Sequence, residues 1–493
     1  MRESGILMHI TSLPGPHGIG TLGKNAYDFV DFLKSAGQTL WQILPLNPTG
    51  FGNSPYQSCC AYAGNEYLID LSCLVEENLL KQQEVSGISW QKTPGRVDFL
   101  AMYTHRLSLL RLAFHRFEET EDFTAFIKEN SFWLSDYALY RALKDANNGT
   151  PWYLWDTAIK FRNSNAIWQA RQTLKEEIRF YCFAQYLFYR QWNALHRYAR
   201  QQNVRIFGDL PIYVPYDSVE VWCDPELFQL DENRIPTAVA GVPPDGFTPD
   251  GQLWGNPLYR WEDMKKDGYQ WWLRRLRHAG SWYDMLRLDH FRAFEAYWSV
   301  PYGDTTARGG KWVKGPGIHF LEAVKNALPE LPLIAEDLGF LTQDVFDLRD
   351  GCGFPGMKVL LFAFDSREPS DYLPHNCTEN SLCYTGTHDN MTVRQWLDSA
   401  NPDARKYAEE YMQLNTQEGE TWGMIRTAMS TVSKYCIVQM QDCLDLGAEA
   451  RMNFPGTQSD DNWTWRAGED AFSPALAEKI KTLSRLYGRG MNP

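Results

Sequence analysis

The sequence has 493 residues, a formal net charge of −13, 44% hydrophobic residues and 22% charged residues. This composition supplies a large globular core. The acidic balance argues against nucleic acid as a partner, because polyanion binders carry a basic excess. Aromatic residues make up 14% of the chain, including 19 Trp and 25 Tyr, which suits neutral ligands that stack on ring faces, such as sugars.

The sequence indicates a cytoplasmic protein. Residues 1–10 contain no apolar stretch typical of a signal peptide. No window approaches the run of about 18 apolar residues that a membrane-spanning helix needs. The ten cysteines are scattered and form no paired CxxC motif, which predicts free thiols in a reducing compartment.

Short apolar runs bounded by Gly, Pro or Asp predict eight buried strands. Helical patterns lie between most of them, at 25–36, about 175–202, 316–327, 342–349 and near 405–441. This alternation predicts an α/β fold, a (β/α)8 TIM barrel with large, mostly helical insertions between barrel strands. The predicted strands are 6–10, 40–46, 205–214, 283–291, 331–336, 357–364, 382–387 and 448–454.

The uneven spacing of these strands predicts the domain organisation. We expect one catalytic barrel over 1–493, beginning at the barrel itself. A helical, aromatic-rich insertion at 47–204 follows strand 2, and a second insertion at 215–282 follows strand 3. Loops of this length in compact domains are usually binding loops or lids.

No cofactor or metal is predicted. A GxGxxG motif at 18–23 follows a strand and opens a helix, but strand 2 ends without the acidic residue that a dinucleotide fold requires. We interpret its glycines as a turn that brings backbone close to a ligand or a helix. The sequence also lacks HExxH, paired CxxC, P-loop and GxSxG motifs.

Carboxylates stand where four predicted strands end. Asp209, Asp289, Glu336 with its neighbour Asp337, and Asp389 follow strands 3, 4, 5 and 7. One such residue alone would be read as a helix N-cap. The strand ends of a parallel barrel share one rim, so the four should converge on one mouth, where paired carboxyl groups suit glycosidic bond cleavage.

Arg287 and Asp289 are two residues apart and should point to the same face of strand 4. The guanidinium can then hold Asp289 ionised as a nucleophile. Glu336 must instead keep its proton at neutral pH, which crowding by other carboxylates would favour. The alternative is a purely structural Arg–Asp pair inside the barrel.

Eight short motifs occur in order along the chain: SLPGPHGIG at 12–20, NSPY at 53–56, GDLPIYV at 208–214, PPDGFTPDGQLWGNP at 243–257, RLDHF at 287–291, AEDLG at 335–339, THDN at 387–390 and RMNFPGT at 451–457. Together they resemble the 4-α-glucanotransferases of glycoside hydrolase family 77 (amylomaltases or disproportionating enzymes) in the α-amylase clan. The resemblance covers nearly the whole chain.

The resemblance implies residue roles. Asp289 matches the family nucleophile, Glu336 the general acid/base and Asp389 the transition-state stabiliser. It also places an active-site lid at 243–257, which covers the acceptor side. The implied substrate-binding residues are Tyr56, Asp209, Asp245, Gln252, Trp254, Arg287, Asp337, His388 and Asn453.

The implied reaction is transfer of an α-1,4-glucan segment by a retaining double displacement, with malto-oligosaccharides, amylose or glycogen-derived glucans as substrates. Retention predicts carboxyl groups of Asp289 and Glu336 about 5–5.5 Å apart. The lid, with Phe247 and Trp254, would exclude water, unless that loop serves packing alone. The alternatives are an α-amylase-like hydrolase and a non-catalytic glucan-binding protein.

Overall fold

The computed structural model describes residues 2–490 except 246, 247, 340, 366, 368 and 458. Its strands in chain order are β1 (Glu3–Leu7), β2 (Leu40–Gln42), β3 (Arg205–Leu210), β4 (Ala238–Val242), β5 (Gln252–Pro257), β6 (Met285–Leu288), β7 (Ala296–Pro301), β8 (Lys311–Lys314), β9 (Leu333–Ala335), β10 (Gly356–Val359), β11 (Ser381–Tyr384) and β12 (Tyr435–Gln439).

Eight of these strands form a parallel barrel. Their order is β10-β11-β12-β1-β2-β3-β6-β9. The two outer strands of this order approach each other where the backbone N–H of Ala335 donates to the carbonyl oxygen of Pro355 at 2.9 Å. The ring is therefore nearly closed, and the predicted (β/α)8 barrel is confirmed.

Seven predicted strands are confirmed, but the eighth is wrong. Six of the seven are shorter than their apolar runs, and the first has the predicted length but begins three residues earlier, at Glu3. The segment 448–454 forms a 3₁₀ helix, Ala448–Ala450, followed by a loop. The eighth strand is β12, which lies inside the region predicted as helical near 405–441 and pairs with both β1 and β11. Because β12 completes the ring, the 448–454 segment is free to form part of the barrel mouth.

Helices alternate with most barrel strands and pack against their outer surface. The last of them is Pro474–Leu486. Ser473 is its N-cap, since the Ser473 hydroxyl accepts from the N–H of Leu476, and Pro474 occupies the first helical position. The helices in this group are Lys24–Ser35, Lys175–Gln201, Gln270–Trp282, Gly317–Ala327, Gln343–Cys352, Val393–Ser399, Pro402–Met412, Glu420–Ser430, Met440–Cys443 and Pro474–Leu486.

The segment between β2 and β3 is mostly helical, and two further helices lie between β3 and β6. Aromatic side chains fill the space between the helices; Tyr137, Tyr140 and Phe183, for example, are fully buried. These helices are Leu71–Glu76, Gln82–Ser86, Phe99–Ala101, Leu107–Arg116, Glu121–Glu129, Ser131–Ala146, Thr157–Lys160, Ser164–Thr173, Val219–Cys223 and Trp261–Lys266. In the described part of the chain, none of the helices combines the length and apolarity needed to cross a bilayer.

A second sheet, not predicted from the sequence, is antiparallel. Its order is β5-β4-β7-β8, so it combines a hairpin from the segment after β3 with a hairpin from the segment after β6. Val239, Val300 and Ala307 form its small core, against which Trp298 packs. This sheet places β5, the second half of the predicted lid, at one edge.

Candidate active site

The barrel brings the predicted carboxylates to one mouth. Asp209 lies within β3, Asp289 directly follows β6, Glu336 directly follows β9, and Asp389 lies in the loop after β11. Backbone bonds join three of these strand ends, since the N–H of Asp289 donates to Leu210 at 3.1 Å and the N–H of Glu336 donates to Leu288 at 3.1 Å.

Arg287 bridges two of the carboxylates. Its Nη1 lies 2.7 Å from Asp209 Oδ2 and 2.9 Å from Asp289 Oδ1. The side chain of Asp209 is fully buried, whereas 27% of the side chain of Asp289 is exposed. Asp209 therefore fixes the guanidinium from below, and Asp289 is the member of the cluster that faces the mouth.

Burial sets the pKa of both central carboxyl groups. It raises the pKa of Asp289 to about 7, although Arg287 lowers it, and nearby Asp209 and Asp389 raise it further. Burial likewise raises the pKa of Glu336 to about 8, with Arg287 lowering it and Asp289 raising it. Arg287 thus acts on Asp289 in the expected direction, but burial outweighs it. The direct contact of Arg287 with Asp289 favours the ionised form of Asp289.

Glu336 is held by backbone donors. The N–H of His290 donates to Oε2 at 2.6 Å, and the N–H of Leu338 donates to Oε1 at 3.3 Å. These contacts hold the Glu336 carboxyl group beside the backbone of His290, the residue that follows Asp289. The bond from His290 lowers the pKa of Glu336, but burial outweighs it, so a carboxyl group that holds its proton lies in the same mouth as Asp289, as acid-assisted bond cleavage requires.

Asp389 is positioned from two sides. Asn453 Nδ2 donates to Oδ1 at 2.6 Å, and His388 Nε2 lies 3.3 Å from Oδ2. Burial lowers the pKa of His388, although the nearby Asp389 raises it. The guanidinium of Arg451 donates to the backbone oxygen of Asp389 at 2.9 Å, which ties the 387–390 loop to the segment after β12.

Tyr56 connects these two groups of residues. Its hydroxyl donates to Asp209 Oδ2 at 2.8 Å, and its ring stacks on His388 with centroids 5.1 Å apart and an interplanar angle of 16°. An aromatic ring fixed beside the carboxylates provides a face against which a sugar can lie.

The lid residues lie on the β4–β5 hairpin. Gln252 and Trp254 share one face of β5, and Trp254 Nε1 donates to Gln252 Oε1 at 3.2 Å. The ring of Trp254 meets His290 edge-on, with centroids 4.8 Å apart. Asp245 is exposed and accepts from the N–H of Thr248 at 2.6 Å; Phe247 lies outside the described residues.

Asp337 does not join this group. Its buried carboxyl group accepts from the N–H of Met357 at 2.6 Å and from the guanidinium of Arg349. Its bonding partners belong to β10 and the helix that precedes it, so Asp337 ties β9 to β10 where the barrel closes. Substrate contact by Asp337 stays a prediction, and its observed contacts are structural.

Sequence reasoning missed two residues at the mouth. His290 adopts a left-handed backbone conformation with φ 48°. Trp463, also left-handed with φ 66°, places its ring 5.8 Å from that of Tyr56 and 6.0 Å from that of His388. The only signal for His290 was its place next to Asp289, and Trp463 lies outside every motif that pointed to the site.

Neither a metal nor a dinucleotide site emerges at the mouth. Among the residues that the structure describes, no group of three His, Cys, Asp or Glu side chains could hold a metal ion. The glycines at 18–23 serve close packing: a Cβ at Gly20 would meet the backbone oxygen of Ile10 at 1.8 Å, and Gly18 is left-handed with φ 74°. The turn formed by these glycines therefore lies close to the backbone of Ile10 and Trp90.

A parallel barrel with an arginine-clamped carboxylate, a proton-holding glutamate and a third carboxylate at one mouth is typical of a carbohydrate-active enzyme that cleaves glycosidic bonds with paired carboxyl groups. The chain matches the family model described as 4-alpha-glucanotransferase, glycoside hydrolase family 77, over residues 8–470. The chain therefore belongs to this family.

Individual relatives agree with the family match. The 4-alpha-glucanotransferase of Aquifex aeolicus is 47% identical over 99% of this chain and 100% of its own length. That of Clostridium butyricum is 44% identical over 98% and 100%. The amylomaltase of Streptococcus agalactiae, solved in complex with acarbose, superposes with a TM-score of 0.97 at 42% identity over the full length of both chains. The predicted 4-α-glucanotransferase activity is confirmed by these matches.

Proposed function

We propose that the chain cleaves α-1,4-glucans with Asp289 as nucleophile and Glu336 as general acid/base. Asp289 attacks the anomeric carbon while Glu336 protonates the departing glucan, which leaves a covalent glucosyl-enzyme. Glu336 then takes the proton from the 4-hydroxyl of the acceptor glucan, which displaces Asp289. The observation that carries this proposal is the contact of Arg287 with Asp289 beside a Glu336 whose pKa is raised to about 8.

The surrounding residues bind the sugar at the cleavage point. Asp389, held by Asn453 and His388, accepts hydrogen bonds from sugar hydroxyls and stabilises the positive charge of the transition state. Tyr56 supplies a stacking face, and Asp209 acts through Arg287. The proposal of substrate contact extends to Asp337, although its carboxyl group is occupied by Arg349.

Transfer requires an acceptor that competes with water at about 55 M, so the acceptor must be bound while water is excluded. The lid at 243–257, with Asp245, Gln252 and Trp254, lies on the acceptor side in this proposal. The substrates are malto-oligosaccharides, amylose and glycogen-derived glucans, and the acarbose complex of the Streptococcus agalactiae relative supports a ligand of this class.

We also propose that residues 1–493 work as one catalytic unit, with 47–204 and 215–282 as insertions after the second and third barrel strands. The direct pairing of β2 with β3, and of β3 with β6, supports this division. The ten free cysteines suit a reducing compartment, and we infer a cytoplasmic location.

Incubation with maltotriose tests the function. A transferase yields glucose and a ladder of longer maltodextrins while the total number of reducing ends stays constant. A rise in reducing ends would instead identify a hydrolase with the same chemistry, and binding without turnover would identify a non-catalytic glucan-binding protein.

A further inference from the structure

His290 occupies a position between three parts of the site. It directly follows Asp289, its backbone contacts Glu336, and its ring contacts Trp254 of the lid. Non-glycine residues with positive φ are uncommon and often mark a functional constraint. The φ of 48° at His290 therefore calls for a reason.

The left-handed turn directs two consecutive N–H groups at one residue. The N–H of His290 donates to the side chain of Glu336 at 2.6 Å, and the N–H of Phe291 donates to its backbone oxygen at 3.0 Å. The carbonyl oxygen of His290 accepts from the N–H of Ala293 at 3.0 Å, which closes the turn. The turn thus fixes Glu336 relative to Asp289.

The side chain of His290 faces the lid. Its ring meets the ring of Trp254 at an interplanar angle of 82°. This is an edge-to-face geometry, which aromatic pairs prefer. Burial lowers the pKa of His290 to about 3, so the ring is neutral and adds no positive charge beside Asp289. The contact with Trp254 is consequently one of packing.

We propose that His290 is a positioning residue that links the general acid/base to the lid: its backbone orients Glu336, and its ring holds Trp254 over the acceptor side. This inference rests on the roles proposed above for Glu336 and the lid. It predicts that the role of the backbone and the role of the ring can be tested separately. A side-chain change that preserves the left-handed turn should remove the support of Trp254 and leave the contact with Glu336 in place.

The first variant is His290→Gly, because glycine adopts positive φ without strain and keeps the N–H that donates to Glu336. Its ratio of hydrolysis to transfer on maltotriose should rise about 2- to 10-fold, the range that an aromatic pair contributes. Trp254→Ala should cause a similar rise, and the double variant should show no further rise, because both changes remove the same contact. An unchanged ratio in His290→Gly, or multiplied effects in the double variant, would overturn the proposal.

The second variant is His290→Val, whose branched side chain disfavours positive φ. If the backbone leaves the left-handed conformation, the N–H of residue 290 no longer points at Glu336. Loss of that hydrogen bond should raise the pKa of Glu336 and move the alkaline limb of kcat/KM to higher pH, whereas His290→Gly should leave that limb in place. The charged and titratable groups that act on Glu336 are unchanged in both variants: Arg287, Asp289, Asp337, Tyr372 and Tyr384.

Asn203→Val is the matched control. Asn203 is also left-handed, with φ 59°, and lies before β3, at the opposite end of the barrel from the mouth. It should lose stability without a shift of the alkaline limb, and an equal shift in both valine variants would overturn the proposal. A wild-type enzyme that forms no ladder from maltotriose would refute the proposed function instead, so the two failures are distinguishable.

Discussion

The chemistry of the site depends on small differences between neighbouring carboxyl groups. Asp289 and Glu336 are both held in a desolvated mouth, which raises the pKa of each. Arg287 touches Asp289, whereas the hydrogen bonds to the Glu336 carboxyl group from the described residues come from the neutral backbone N–H groups of His290 and Leu338. The direct contact with a permanent cation favours the ionised form of Asp289, which supports its proposed role as nucleophile and that of Glu336 as acid.

Asp442 shows how a buried carboxyl group affects stability outside the catalytic set. It follows β12, is fully buried and accepts from Thr385 Oγ1 at 2.6 Å and from the N–H of Val393 at 2.7 Å. These two partners flank the loop that carries Asp389. Burial raises the pKa of Asp442 from 3.8 to about 7, so the folded state binds this proton more tightly than the unfolded chain does.

Stability should therefore fall as pH rises through the window from about 4 to about 7. Asp442→Asn removes the titrating group while its amide oxygen can still accept from Val393. Urea unfolding gives the free energy of unfolding of each protein. The value for wild type minus the value for the variant should decrease by about 3 kcal/mol between pH 5 and pH 8. A difference that does not change with pH would contradict the buried, protonated state.

At the scale of elements, the barrel closes where the two strands at the ends of its strand order meet. β9 and β10 are the outer strands of the barrel order. A backbone bond between Ala335 and Pro355 and the carboxyl group of Asp337 join them. Because Glu336 immediately precedes Asp337, the same segment closes the barrel and carries the proposed general acid/base.

Asp337→Ala should destabilise the protein by about 3 kcal/mol, because it leaves the Arg349 guanidinium and the N–H of Met357 without their buried acceptor. Asp350→Ala is the control: Asp350 contacts the same Arg349 at 2.7 Å, but its side chain is 62% exposed, so its loss should cost less than about 1 kcal/mol. Urea unfolding measures both. Lost activity without lost stability in Asp337→Ala would support substrate contact instead.

At the scale of the whole molecule, the strand ends that carry chemistry were predictable. Arg287, Asp289, Glu336 and Asp389 each stand at or near the end of an apolar run, and parallel pairing dictates that such ends meet. The strand β12 escaped prediction because only four residues separate it from the helix Glu420–Ser430, so its apolar residues extended a helical pattern. The 448–454 run resembles a strand locally, but the ring has no remaining place for it.

The second sheet and the contacts of single side chains were not predictable. The β4–β5 hairpin lies in a Pro- and Gly-rich segment, and its pairing with β7 depends on a partner about 60 residues away along the chain. The left-handed conformations of His290 and Trp463 likewise follow from tertiary contacts that leave no trace in local sequence. The contacts of Asp337 with Arg349 and Met357 were unpredictable for the same reason, since neighbouring carboxylates in a sequence can face different partners.

The most direct test of the account is to locate the covalent sugar. In Glu336→Gln, α-maltosyl fluoride can still react, because fluoride leaves without needing a proton, whereas the missing base slows the second step. Proteolysis and mass spectrometry should then find the maltosyl group on the peptide that contains Asp289. In the Asp289→Asn/Glu336→Gln control, no peptide should carry a maltosyl group. A maltosyl group on Asp389, or no covalent species during measured turnover of the fluoride, would contradict the central claim.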